Sequence, residues 1–343
     1  MSESYFQLTA KDKADALNAG ATASGRAPHL LEKDIWVVWS LATLFQSEFG
    51  PHLVFKGGTA LSKAYKVITR FSEDVDLTYD IRSLAPDLVG NAADGLDPIP
   101  PSGSQQKKWS DKIRRDLLPA WLRDYAHPLI QSALLVLGVG TSQVTEDCIF
   151  VDYEPVTPAS SYAPPSVKLE FGSRSSGEPS SVVAVQCDIG EFIASVEFPV
   201  ASPRVMNLTR IFWEKATAAH VYCLQGEKGL SHRFSRHFHD LVRFEEAGHL
   251  AEALAAQDIA EAVASHKAAF FAEKDIHGNR INYMQAVQGA FTLQPTGDAY
   301  EALRVDYQHM LDDRLLLGDP ESFEKLMTRC SEIESKINSR HKT

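Results

Sequence analysis

The residue types best suited to chemistry fall in one stretch, Phe55 to Asp76: Lys56-Gly57-Gly58-Thr59-Ala60-Leu61-Ser62, then Arg70-Phe71-Ser72-Glu73-Asp74-Val75-Asp76. Two glycines after an apolar run let backbone N–H groups come close to a phosphate, and a helix starting there turns its positive end the same way. Thr59 or Ser62 can add a hydroxyl, and Lys56, Arg70 and Ser72 belong to the same pair of motifs. Asp74 and Asp76, at i and i+2 of a strand, share one face about 7 Å apart, a span that two carboxylates close onto shared hard cations. Such a pair suits Mg2+, or Mn2+, with a nucleoside triphosphate, the ions bridging the phosphates and stabilising departing pyrophosphate. Taken singly, each half is explained as well by a tight turn or by a solvent-facing strand with two acids. Joined in one unit, they favour the phosphate and metal reading.

The elements around this stretch follow from periodicity. Glu32 to Phe49 carries apolar residues at helical spacing (Ile35, Val38, Trp39, Ala42, Phe45) and stops near Gly50-Pro51. Leu53-Val54-Phe55 reads as a short strand broken by Gly57-Gly58, and Ala60 to Tyr65 as a short helix that Thr59 could cap. Asp74 to Tyr79 alternates as a half-buried strand does. Ser83 to Gln106 is rich in Pro, Gly, Asp and Ser and is expected to be a long insertion or mobile loop. Lys107 to Tyr125 is helical, and Ile149 to Tyr153 and Ser166 to Phe171 are strands. After Pro203 the pattern is helical: Thr209 to Leu224, Arg236 to Ala247, Leu250 to Phe271, Tyr300 to Leu315 and Ser322 to Ile337.

Glu32-Lys33-Asp34, FKGGTALSKAY (Phe55 to Tyr65) and RFSEDVDL (Arg70 to Leu77), followed by VKLEFGSR (Val167 to Arg174), FWEKATAAHVY (Phe212 to Tyr222) and SRHFHDLVRF (Ser235 to Phe244), resemble the motifs of the AbiEii/AbiGii-type toxins, a MenT-like family of the DNA polymerase beta-like nucleotidyltransferase superfamily. The resemblance spans Leu30 to Phe244; Leu84 to Asp147 and the last hundred or so residues carry no motif of it. It implies an α+β architecture: a nucleotidyltransferase-like mixed sheet flanked by helices over residues 1–200, then a helical domain over residues 201–343 closing the nucleotide cleft. By this resemblance Glu170 is the third carboxylate of the metal site, though Lys168 shares its face and could simply pair with it. Lys215 is implied to contact nucleotide phosphates, with a snorkelling surface lysine as the alternative. Asp240 matches a further family position and would orient Lys215 or Arg236, or only balance nearby charge. The implied activity is transfer of a nucleoside monophosphate from an NTP to an acceptor, the tRNA 3′ end in some relatives, by a toxin paired with a winged-helix antitoxin. Protein nucleotidylation would use the same core residues. A binding module without turnover is the remaining reading, against which stands a carboxylate pair that repels itself without metal.

Bulk properties narrow the rest. A chain of 343 residues with 44% hydrophobic content can bury the cores of two domains. No apolar run approaches a membrane span and the start, MSESYFQLTAKDK, lacks a signal peptide's apolar centre, so no membrane partner and a cytoplasmic location are expected. Cys148, Cys187, Cys223 and Cys330 lie far apart without metal-finger spacing. The net charge of -11 argues against coating nucleic acid non-specifically. GxSxG, GxxxxGK[ST] and GxGxxG are all missing. His232, His237 and His239 lack the i, i+4 spacing of a helical chelate. The basic run Lys107, Lys108, Lys112, Arg114 and Arg115, with Trp109 among it, is either a guide for RNA or a solvated helix face.

Overall fold

Alternation along Val75–Tyr79 decides which way the aspartates point: Val75 and Leu77 are fully buried, while Asp74 and Asp76 on the other side are half-buried. This strand lies within a seven-stranded mixed sheet of the computed structural model, which describes residues 3–90, 96–158, 164–226, 233–313 and 315–340. The order across the sheet is Thr141–Val144, Cys148–Asp152, Ser166–Gly172, Val75–Tyr79, Leu53–Lys56, Arg204–Met206, Ser180–Val182. Val75–Tyr79 runs antiparallel to Leu53–Lys56, with Asp76 opposite Lys56, and parallel to Ser166–Gly172, with Asp76 beside Glu170. Register alone therefore brings Lys56, Asp76 and Glu170 to one level of the sheet.

The chain divides into two compact units, the first comprising Met1–Lys66, Phe71–Asp94 and Lys108–Met206, the second Val67–Arg70, Gly95–Lys107 and Asn207–Thr343. In the first, the helix Pro28–Phe45 begins earlier than its apolar spacing suggested, because Pro28 fits the first helical turn, where its missing N–H is no loss. It buries Leu31, Ile35, Val38 and Leu41 and also the charged Glu32, Lys33 and Asp34. Each of the three charges has a partner there. Glu32 accepts from the Val156 backbone N–H and the Thr157 hydroxyl, both at 2.9 Å; Lys33 reaches Glu73 at 2.9 Å; Asp34 meets Lys63 at 2.6 Å.

Ser83 to Gln106 is not one long loop. The turns Ile81–Leu84 and Pro86–Val89 precede a helix beginning at Gly103, and Ile81, Ala85 and Ile113 form a small core onto which Trp109 packs. The aromatic of the basic run is thus a packing residue, while Lys108, Lys112, Arg114 and Arg115 are exposed.

The described elements of the second unit are mostly helical: Leu208–Gln225, Ser235–Glu246, Leu250–Ala255, Gln257–Phe270, Tyr283–Val287, Asp298–Asp312 and Phe323–Ser339. The helix expected over Leu250 to Phe271 breaks at Ala256, whose φ of -85° and ψ of 67° leave the helical region. Leu208–Gln225 runs through the core: Trp213 is fully buried and donates to the Ala253 carbonyl at 3.0 Å, and Tyr222 donates to the Ala299 carbonyl at 2.8 Å. Among the described residues no helix is long and apolar enough to cross a membrane.

Candidate active site

The turn after Leu53–Lys56 is built for a glycine. Gly57 has a φ of 77°, and a Cβ placed on it would lie 1.9 Å from Asp76 Oδ2. Glycine is needed twice here, for the left-handed backbone and for the close approach of a carboxylate to the turn. The helix Gly57–Lys63 starts at this point, so its first N–H groups rise beside the acid-bearing edge of the sheet.

Thr59 does not cap that helix, since Lys56 holds the N-cap position and no side chain caps it. Thr59 is fully buried; its hydroxyl lies 2.5 Å from the Asp74 carbonyl oxygen and 2.9 Å from the Ser72 hydroxyl. It is therefore a positioning residue, tying the glycine helix to the aspartate segment, and is not presented to a phosphate. Ser62 donates within its own helix, to the Thr59 carbonyl at 3.1 Å. The backbone of Gly57 and Gly58 is what remains of the sequence-predicted phosphate cradle on this helix.

A second tie, which sequence reasoning missed, comes from the buried Lys33–Glu73 pair. Lys33 donates at 2.9 Å to Glu73 and at 3.2 Å to the Pro164 carbonyl, so the residue preceding Asp74 is anchored to the helix Pro28–Phe45. The signal was present in Glu32-Lys33-Asp34: three charges amid apolar residues at helical spacing imply buried partners. Lys63 is held likewise between Asp34 at 2.6 Å and Asp188 at 2.7 Å. Burial pushes the Asp34 carboxyl up, whereas Lys63 outweighs burial at Asp188 and draws it down.

Glu170, placed beside Asp76 by register, is engaged by Lys168 on the same strand. Burial opposes the Lys168 charge, but Glu170, Cys148 and Asp74 raise its pKa above the ordinary value, so its ammonium sits in the field of the acids. Among the described residues no three His, Cys, Asp or Glu side chains gather to hold a metal ion. Asp74 and Asp76 are half-buried, and Glu170 lies one strand away beside Asp76.

The second unit holds the other expected residues, in an arrangement that differs from expectation in one partner. Asp240 is fully buried and takes a two-pronged ion pair from Arg70, Nε to Oδ1 at 2.7 Å and Nη2 to Oδ2 at 2.8 Å, while Lys215 Nζ reaches Oδ2 at 2.9 Å. Arg70 is buried and pairs with Asp240, and Lys215 is buried too, which excludes the snorkelling alternative. Burial alone would raise the Asp240 pKa; Arg70 and Lys215 together hold it well below the ordinary carboxylate range. Burial is the first cause that pushes the His237 and His239 imidazoles below the ordinary histidine value, His237 to about 3. His232 lies outside the described residues.

A glycine turn and an Asp-x-Asp strand on a mixed sheet, with a helical unit carrying buried cations, define a nucleotidyltransferase-type enzyme. The chain belongs to the nucleotidyl transferase AbiEii toxin family of type IV toxin–antitoxin systems, whose model matches residues 39–329. That match takes in Leu84 to Asp147 and most of the C-terminal helices, where no motif had been legible. No curated protein matches the chain. MenT4, a nucleotidyltransferase toxin from Mycobacterium tuberculosis H37Rv, aligns over 95% of this chain and 99% of its own at 17% identity, with a TM-score of 0.38.

Proposed function

We propose that this enzyme transfers a nucleoside monophosphate from an NTP to an RNA acceptor, the 3′ end of tRNA, in a reaction that requires Mg2+ or Mn2+. The observation that supports the reading best is the approach of Asp76 to Gly57, closer than any Cβ would allow, since a carboxylate able to bind a metal ion then lies against backbone able to hold phosphate. Asp74 and Asp76 would hold the ion, which when bound supplies charge neutralisation to the triphosphate. Gly57 and Gly58 hold phosphate oxygens through backbone N–H groups. Lys215, fixed by its ion pair with Asp240, would offset the negative charge that grows on the leaving pyrophosphate. A winged-helix antitoxin is the proposed cognate partner, and the cytoplasm the proposed site of action. The test incubates the protein with Mg2+, each of four alpha-labelled NTPs and total cellular RNA, beside Asp76→Ala. Label on a tRNA-sized band that vanishes in the variant is expected. Label on protein alone would replace the RNA acceptor with a protein one, and full transfer by Asp76→Ala would end the metal assignment.

A further inference from the structure

The helical unit contains a cavity of about 250 Å3 that the reaction as described leaves unused, walled by Phe234, Phe271 and Tyr283 and edged by Gln225, Lys267 and Glu273. Its walls are fixed from behind. Phe234 stacks on Tyr222 at 4.7 Å and 18°, Tyr283 donates to the Phe271 carbonyl at 2.7 Å, and the Lys267 ammonium stands 4.7 Å from the Phe271 ring centre. Gln225 donates to Glu273 at 3.0 Å, so an amide and a carboxylate share one edge of the opening. Packing voids that stay empty are lined by apolar atoms. This cavity instead combines aromatic walls with an acceptor, an amide and a cation, and Glu273 is exposed.

Size and charge narrow the occupant. The volume lies below the roughly 300–1,000 Å3 of sites for drug-sized ligands, so it takes one ring system and not a whole nucleotide. Lys267 lies in the lining itself, and His237, tilted against Phe234 at 4.7 Å, lies in the field of Lys215, Arg70 and Lys267 as well as of the Asp240 carboxylate. A flat ring with hydrogen-bonding edges and an attached anion matches this environment: stacking is tolerant of base identity, while amide and carboxylate groups read a base edge.

We propose that the cavity walled by Phe234, Phe271 and Tyr283 binds the base of a nucleotide, with its phosphates toward Lys267 and Lys215. The proposal rests on the nucleotide-transfer reading above and deepens it. Two sources offer the same chemistry, the donor NTP and the terminal nucleotide of an RNA acceptor.

Titration calorimetry of the full chain separates them, using α,β-methylene analogues of the four NTPs, a short single-stranded RNA with a free 3′ hydroxyl, and ribose 5-triphosphate as a base-free control. Phe234→Ala removes a wall. Ala218→Phe fills the cavity from its half-buried lining position and guards against a folding defect, which circular dichroism checks. About five- to hundredfold weaker binding of an analogue in both variants, with the base-free triphosphate unaffected, is expected if the donor base enters. The same loss confined to the RNA assigns the cavity to the acceptor base and also supports the proposal. Folded variants that bind analogues and RNA like the parent overturn it; if the parent still transfers label, the transfer reading survives that result. A parent that neither binds nucleotide nor transfers label overturns both.

Discussion

Among the described glycines, Gly57 would bring an added Cβ closest to another atom, Asp76 Oδ2. Gly57→Ala would force a Cβ into Asp76 Oδ2 and place a side chain at a φ of 77°, so the carboxylate must move. We expect transfer to fall at least as far as in Asp76→Ala, with a stability loss of about 1–3 kcal/mol in denaturant unfolding. Asp240 gives the second residue-scale prediction. Its folded pKa is depressed, so the stability it contributes is present above the unfolded value near about 4 and is lost as pH falls toward the lower folded value. Asp240→Asn should cost about 3–5 kcal/mol near neutral pH, by taking the anion away from the buried Arg70 and Lys215, and should flatten the acid limb of a stability–pH curve. A curve that keeps its acid limb would assign the limb to other carboxylates. At this scale the sequence disclosed which residue types matter better than what each touches. The glycine turn at Gly57 and the shared face of Asp74 and Asp76 were legible because they are local, whereas Thr59, Arg70 and Asp240 take their contacts from partners farther along the chain.

The Asp-x-Asp strand is held by its neighbours, and Lys33 tests how much the holding matters. Lys33→Met takes away the ammonium that faces the buried Glu73 and should destabilise the chain by about 3–5 kcal/mol, read by thermal unfolding. Adding Glu73→Leu should recover much of that stability, because an apolar pair of similar size can replace a buried ion pair. Transfer should stay low in the double variant, since the directional bond that fixes position 73, and hence Asp74, on the helix Pro28–Phe45 is gone. Activity recovering together with stability would make the pair a packing device alone. Elements with a clear period were legible: Cys148–Asp152 and Ser166–Gly172 lie where alternation put them, and Leu208–Gln225 where the helical spacing did. The break at Ala256 was not, because alanine favours helix. Ser83 to Gln106 misled in the opposite direction, its turn-forming composition masking the short helical turns whose Leu84, Ala85, Leu88 and Val89 join a small core with Ile81 and Ile113.

On the scale of the whole molecule the difficulty is charge, because a chain of net charge -11 has to approach a polyanion if its acceptor is RNA. Long-range attraction works against it, so the approach depends on a local concentration of cations. The exposed side chains of Lys108, Lys112, Arg114 and Arg115 supply one. Lys112 and Arg115 already face Asp116 at 3.0 Å and Asp111 at 3.5 Å, which dilutes their pull. With Trp109 packed against Ile113, this patch works through phosphates and not by stacking. Lys108→Glu with Arg114→Glu should therefore weaken RNA binding at low salt without changing NTP affinity. It should also reduce the slope of log affinity against log salt by about 0.7 for each single-strand phosphate that the protein no longer neutralises. Filter binding across a salt series measures that slope directly, and an unchanged slope would return the run to an ordinary solvated helix face.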